Sequence, residues 1–160
     1  MDKLWAPWRI SYIQGKKAKG CFLCALIKAN KKKDYLVFKT GKSFCLLNIF
    51  PYNNGHLMVS PKRHVKDLSL LKDDEQLDLI KALLLAQKLL MKVLKPEGFN
   101  IGLNVGSVAG AGIPGHLHIH IVPRWKGDTN FMPVLGGTKI ISQSLDELHK
   151  QLCHAWAKTN

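Results

Sequence analysis

Gly115-His116-Leu117-His118-Ile119-His120-Ile121-Val122-Pro123 alternates imidazoles with aliphatic side chains. A β-strand sends successive side chains to opposite faces. Read as a strand, His116 to Pro123 places His116, His118 and His120 on one face and Leu117, Ile119 and Ile121 on the other. The aliphatic face can enter a core. The imidazole face then needs hydrogen-bond partners or a ligand, because buried polar groups are rarely left unpaired. Three uses stay open: a solvent-facing row, a metal chelate built on His-x-His, and nucleophilic catalysis. For the last, neutral imidazole is competent at about pH 7 once a neighbour fixes which ring nitrogen is free.

Working outward, Gly106, Gly110, Gly112 and Gly115 make the preceding loop glycine-rich, with Pro114 inside it. Glycines let main-chain N–H groups approach phosphate oxygens closely. A nucleophile beside such a loop points to phosphoryl or nucleotidyl transfer.

The rest of the chain supplies a sheet for this strand. Tyr35–Lys39 and Ser43–Leu47 read as two strands joined by a hairpin-like turn, Thr40-Gly41-Lys42. Gly55–Ser60 reads as a third strand stopped by Pro61, and Asn100–Asn104 as a fourth. Asp73 with Gln76 predicts a capped helix start, and Leu77, Ile80, Leu83, Leu84, Leu90 and Leu94 its apolar face. Pro96 and Gly98 end that helix. Ser144-x-x-Glu147 opens a last helix carrying Leu145, Leu148, Leu152 and Trp156. Closely spaced strands with few crossovers predict an α+β class: about five antiparallel strands, one long helix and a C-terminal helix. An open sheet leaves edges, so a homodimer through an edge or the long helix is expected.

With 160 residues the chain reads as a single domain, 1–160. An aromatic arm occupies 1–20, with Trp5, Trp8 and Tyr12, and a C-terminal extension 132–160. Hydrophobic residues make up 46% and charged residues 22%, enough apolar surface for a core and against global disorder. Leu77 to Leu94 is broken by lysines and Gln87, so no membrane partner is expected. The N-terminus lacks a basic segment followed by an apolar run, so the expected location is cytoplasmic. Thiols stay reduced there, which turns Cys21-x-x-Cys24 towards metal or redox use, with packed reduced thiols the plainer reading. Cys45 and Cys153 fit the core. The formal charge of +13 attracts anions, nucleotides and nucleic acid among them. The lysines are dispersed and no basic–aromatic reading motif appears, so nucleic acid is not the expected partner.

His116-x-His118-x-His120 and the upstream run Asn48-Ile-Phe-Pro-Tyr-Asn-Asn-Gly55-His56-Leu-Met-Val-Ser-Pro61-Lys-Arg-His64 together resemble the two motifs of the histidine-triad superfamily. Leu4-Trp5-Ala-Pro7-Trp8-Arg9 and Pro123-Arg124-Trp125-Lys-Gly127-Asp128-Thr-Asn130-Phe131 resemble its bacterial branch that cleaves diadenosine polyphosphates, tetraphosphate phosphorylases included. The resemblance implies His118 as the nucleophile, forming a nucleotidyl-histidine, with His120 at the α-phosphate oxygens and His56 in support. It implies Asn48 at the ribose, Leu46 in the base pocket and Asn104 near the phosphate entrance. Water or inorganic phosphate would discharge the intermediate, and Mg²⁺ would accompany a polyphosphate substrate. Zinc-containing relatives imply a closed, structural zinc site of Cys21, Cys24, His64 and His116.

One stretch departs from the pattern. Many members carry Gly-Gln-Ser/Thr just before the triad, where this chain has Ala111-Gly112-Ile113-Pro114. Ser107 and the Gly112 main chain are the substitutes the sequence offers. Lys62, Arg63, Arg124 and Lys126 either meet the polyphosphate tail or form a solvated face. The alternative activities are hydrolysis of a nucleoside phosphoramidate, and nucleic-acid binding or 5′-end processing on the same scaffold.

Overall fold

A computed structural model describes residues 20–29, 35–128 and 141–158. The aromatic arm read from the sequence lies outside the described residues, apart from Gly20. Strands β1 (Leu36–Lys39), β2 (Ser43–Leu47), β3 (Leu57–Pro61), β4 (Gly98–Leu103) and β5 (Ile119–Arg124) form one antiparallel sheet in the order β1-β2-β3-β5-β4. Three α-helices accompany it among the described residues: α1 (Phe22–Ala29), α2 (Asp73–Leu94) and α3 (Leu145–Ala157). No described helix is long and apolar enough to cross a membrane.

The central strands β2 and β3 are buried along their whole length because both faces are covered. Cys45, Leu47, Leu57 and Val59 face α2 and α3 and join Ile119, Ile121, Leu148 and Leu152 in the main core. Phe44, Leu46 and Met58 alternate to the other face, where they pack with Leu23 and Leu26 of α1. Each fully buried leucine of this kind stabilises the fold by about 1.5–3 kcal/mol. Met58 pairs with His120 across β3 and β5, so the α1 side of the sheet is also the side of His120.

Several elements differ from the sequence reading. Helix α1 was not anticipated. Its Leu23, Leu26 and Ile27 are spaced for one face, but the segment is short and its Cys-x-x-Cys drew the reading to metal chemistry. Residue Lys72, not Asp73, caps α2, since the Glu75 carboxylate accepts the Lys72 N–H at 2.9 Å. The buried face of α2 is Glu75, Leu79, Ala82, Ala86, Leu89 and Leu90. Leu77, Ile80 and Leu84, read from their spacing as part of the apolar face, are about half exposed. Ala82 and Ala86 take that place because a helix lying close on a sheet needs small side chains at the contact. Strand β3 runs through Pro61 instead of stopping before it. At the strand's end the missing N–H costs nothing in the ladder. Ser144 caps α3 as read, its hydroxyl accepting the Glu147 N–H, and Trp156 stacks on Phe38 at 4.2 Å.

Candidate functional site

Strand β5 starts at Ile119, so His116 and His118 precede it and only His120 lies within it. The reading of a strand from His116 fails because the chain there bonds to a loop carbonyl and a side-chain hydroxyl instead of a strand ladder. Leu117 N–H donates to Val65 O at 2.6 Å, and Ser60 Oγ donates to Leu117 O at 2.7 Å. The three imidazoles therefore do not serve one face. His118 and His120 line a cavity of about 330 Å³, while His116 is buried against Cys21, Cys24 and His64.

Main-chain partners assign the ring protons. His118 Nδ1 lies 2.8 Å from His116 O, an obligate acceptor, so Nδ1 carries the proton and Nε2 keeps its lone pair. His116 Nε2 lies 2.8 Å from Pro61 O, so its Nδ1 is the free nitrogen. His56 Nδ1 accepts from Tyr52 N–H at 3.0 Å, with the Asn48 amide at 3.3 Å. His56 Nε2 therefore donates to His120 Nδ1, 2.9 Å away. This leaves His120 with its proton on Nε2. Burial, helped by the neighbouring His118, pushes His120 down to about 4, so the ring is neutral at physiological pH.

The cavity has two kinds of wall. Phe22, Leu46, Leu47, Ile49, Phe50, Met58 and Ile113 are apolar; Asn48, Tyr52, His118 and His120 are polar or amphipathic, and Gly110 and Gly112 complete it. Asn48 Oδ1 accepts the Phe50 N–H at 2.9 Å, which holds the turn. Of the residues singled out in the sequence, Leu46, Asn48, His118, His120 and Gly112 come together here, with His56 directly behind His120. Asn104 and Ser107 are not in the lining. The Asn104 amide donates to Gly110 O at 3.4 Å and braces the glycine loop, while Ser107 is exposed. Phe22, Ile49, Phe50, Tyr52, Met58 and Ile113 were missed, although the aromatic content of Asn48–Tyr52 was a usable signal.

Three of the four cations read as meeting a polyphosphate tail or a solvated face, Lys62, Arg63 and Arg124, have protein partners. Arg63 Nε and Nη2 donate to both Glu75 oxygens, at 2.8 and 2.5 Å. That contact, with the Lys72 N–H, pushes the Glu75 carboxyl down to about 2. Arg124 grips Asp128, and Lys62 Nζ donates to the Thr40 and Gly41 carbonyls.

Behind the cavity, the ligand atoms of Cys21, Cys24, His64 and His116 all lie within 4.8 Å of one another. His116 Nδ1 is 3.2 Å from Cys21 Sγ and 3.4 Å from Cys24 Sγ; His64 Nδ1 is 3.3 Å from Cys24 Sγ. A tetrahedral ion with ordinary zinc–sulfur and zinc–nitrogen bonds separates such atoms by about 3.5 Å. The Pro61 carbonyl holds the His116 tautomer that frees Nδ1, which is how metal-binding histidines are oriented. The four residues could hold a metal ion.

Comparison with known proteins gives a consistent picture. The HIT domain family model matches residues 29–127. A Mycobacterium tuberculosis protein named AP-4-A phosphorylase is 37% identical over 99% of this chain and 86% of its own length. A fission-yeast protein named bis(5′-nucleosyl)-tetraphosphatase (asymmetrical) is 36% identical over 57% of this chain and 50% of its own. Among solved structures, a hypothetical histidine triad nucleotide-binding protein of Sulfolobus tokodaii superposes with a TM-score of 0.70 at 26% identity, covering 86% of this chain and 93% of that one.

Proposed function

The chain belongs to the HIT domain family, and from that premise we propose that it cleaves dinucleoside polyphosphates through a nucleotidyl intermediate on His118. The observation that carries this reading is the His118 tautomer: Nδ1–H is tied to His116 O, and Nε2 keeps its lone pair beside the cavity. In the first step His118 Nε2 forms a bond to the α-phosphorus and the bond to the leaving nucleotide's bridging oxygen breaks. His120, protonated on Nε2 and neutral, donates to a phosphate oxygen as charge develops there. The apolar wall with Leu46 takes the base, Asn48 takes the ribose, and the glycine loop with Gly112 lies along the phosphates.

Inorganic phosphate is the acceptor this reading favours, because the relative matched over nearly the whole chain bears a phosphorylase's name. Attack by phosphate on the intermediate restores free His118 and releases a nucleoside diphosphate. A product assay on diadenosine tetraphosphate tests it. ADP plus ATP formed only when phosphate is present supports the reading; AMP plus ATP, or two ADP, without phosphate replaces it with hydrolysis. A second reading is hydrolysis of a nucleoside phosphoramidate. It is favoured by one observation: among the described residues lining the cavity there is no lysine or arginine to meet a polyphosphate tail.

The Cys21, Cys24, His64 and His116 set is read as a zinc site. Two thiolates and two imidazoles suit zinc over harder cations, and a fourfold protein set leaves no open position, so the ion would brace the fold. Mg²⁺ would arrive with the polyphosphate. A homodimer is part of the same reading. Strand β4 is a sheet edge with Ile101 exposed, and Ile80, Leu84 and Met91 leave an apolar stripe on α2. Reduced thiols at the metal set fit a cytoplasmic location.

A further inference from the structure

Tyr52 lies in the turn between β2 and β3 and lines the cavity, yet none of the roles above uses it. Its ring centroid is 4.6 Å from that of His56, with the planes 39° apart. The same ring is 5.7 Å from that of His120, at 32°. Its main-chain N–H is the donor that fixes His56 Nδ1 as an acceptor. One residue therefore acts on the hydrogen-bonded imidazole pair twice, through its amide and through its ring. The outer side of the ring meets solvent, with Tyr52 46% exposed, while His56 is wholly buried.

We infer that Tyr52 is a positioning residue for the His56–His120 pair: its amide sets the His56 tautomer, and its ring keeps water off both imidazoles. The proposal rests on the reading that His120 serves the phosphate. A flat, rigid side chain suits the task, since it covers two rings while ordering only two torsions. The groups facing His120 leave little else to do the shielding. Across the sheet it meets Met58 of β3 and Gly102 of β4, neither of which titrates. The titratable neighbours are His118, His56 and Tyr52 itself. The depressed protonation of His120, caused first by burial, fits a ring that withholds water.

The substitution Tyr52→Ala keeps the amide and removes the ring; Tyr52→Phe keeps both. Two-bond ¹H–¹⁵N NMR of ¹⁵N-histidine protein reads the tautomer and titration of His120 directly, with no need for turnover. In Tyr52→Ala the His120 midpoint should rise by about one unit as water returns. The acid limb of the kcat profile should move the same way, with KM little changed. Tyr52→Phe should match the wild type in both. If Tyr52→Ala does not fold, Tyr52→Leu supplies the non-aromatic comparison at similar bulk. An unchanged His120 midpoint in the alanine or leucine variant overturns the proposal, as does a phenylalanine variant as impaired as alanine. A shifted midpoint in a protein whose wild type cleaves no nucleotide upholds the positioning role and removes the proposed function instead.

Discussion

His118 Nδ1 donates to the main-chain carbonyl of His116 at 2.8 Å, while the imidazole of that same His116 turns its free Nδ1 to Cys21 and Cys24. A single residue thus joins the four-residue metal set to the proposed nucleophile, with its side chain on one and its carbonyl on the other.

Removing the metal ligands should therefore reach the chemistry. Wild-type protein should carry a single zinc ion per chain, and Cys21→Ser with Cys24→Ser should carry none. The double variant should melt at a lower temperature, because binding energy at such a site is folding energy. Losing a firm anchor worth about 1–1.5 kcal/mol at His118 Nδ1 should also lower kcat about tenfold. Elemental analysis of both proteins, with calorimetry and steady-state rates, checks all three; a metal-free wild type of full stability would sink the zinc assignment.

Stability should fall in mild acid. His120 titrates at about 4 in the folded protein against 6.5 for the free group. Between those values the unfolded chain binds a proton that the native state refuses. The stabilisation is therefore complete above about pH 6.5 and is lost as pH drops towards 4. For a part-buried ring this amounts to about 1–2 kcal/mol once solvent screening is allowed for. Urea titrations across that window, compared with His120→Gln, isolate the contribution: the variant should show the shallower pH dependence.

Gly55 closes the turn that carries Tyr52 and His56. It sits at φ +78°, and a Cβ there would lie 2.5 Å from Leu94 Cδ1 and 3.0 Å from Pro123 Cγ. Leu94 can swing aside; the Pro123 ring cannot. Gly55→Ala should cost about 1–3 kcal/mol through the left-handed backbone and this contact. Chemical denaturation should show an earlier midpoint with an unchanged slope.

The stripe of Ile80, Leu84 and Met91 on α2 gives the dimer its test. Ile80→Glu with Leu84→Lys should leave the fold intact, because neither side chain enters the core. Light scattering should then show the wild type as a dimer and the variant as a monomer. A wild type already monomeric at micromolar concentration would remove the homodimer from the account.

What the sequence disclosed follows from how local each signal was. The hairpin-like turn at Thr40–Lys42 placed β1 and β2, alternation placed the aliphatic side of β5, and the Ser144–Glu147 pair placed the start of α3, because cap, turn and strand patterns are written within a few residues. The inner face of α2 was misjudged because apolarity was weighed above size: Ala82 and Ala86 pack where Ile80 and Leu84 do not. The site was legible as residue types, since the His116–His120 spacing and Cys21-x-x-Cys24 stand out in the chain. Its division came only through the family resemblance, since strand alternation alone puts all three imidazoles on one face. That His116 faces the thiols while His118 faces the cavity goes with contacts from the Val65 carbonyl and the Ser60 hydroxyl of β3, far away in sequence. Tyr52 went without a role because its ring partner His120 lies 68 positions on.

The most direct test of the account is to look for the nucleotide on His118. Protein mixed with diadenosine tetraphosphate in the absence of phosphate, quenched in alkali to spare an acid-labile phosphoramidate bond, can be digested and mapped by mass spectrometry. The account predicts an adenylyl group on the His118 peptide, lost on adding phosphate and absent from His118→Ala. An adduct on another residue, or unimpaired cleavage by His118→Ala, would contradict it.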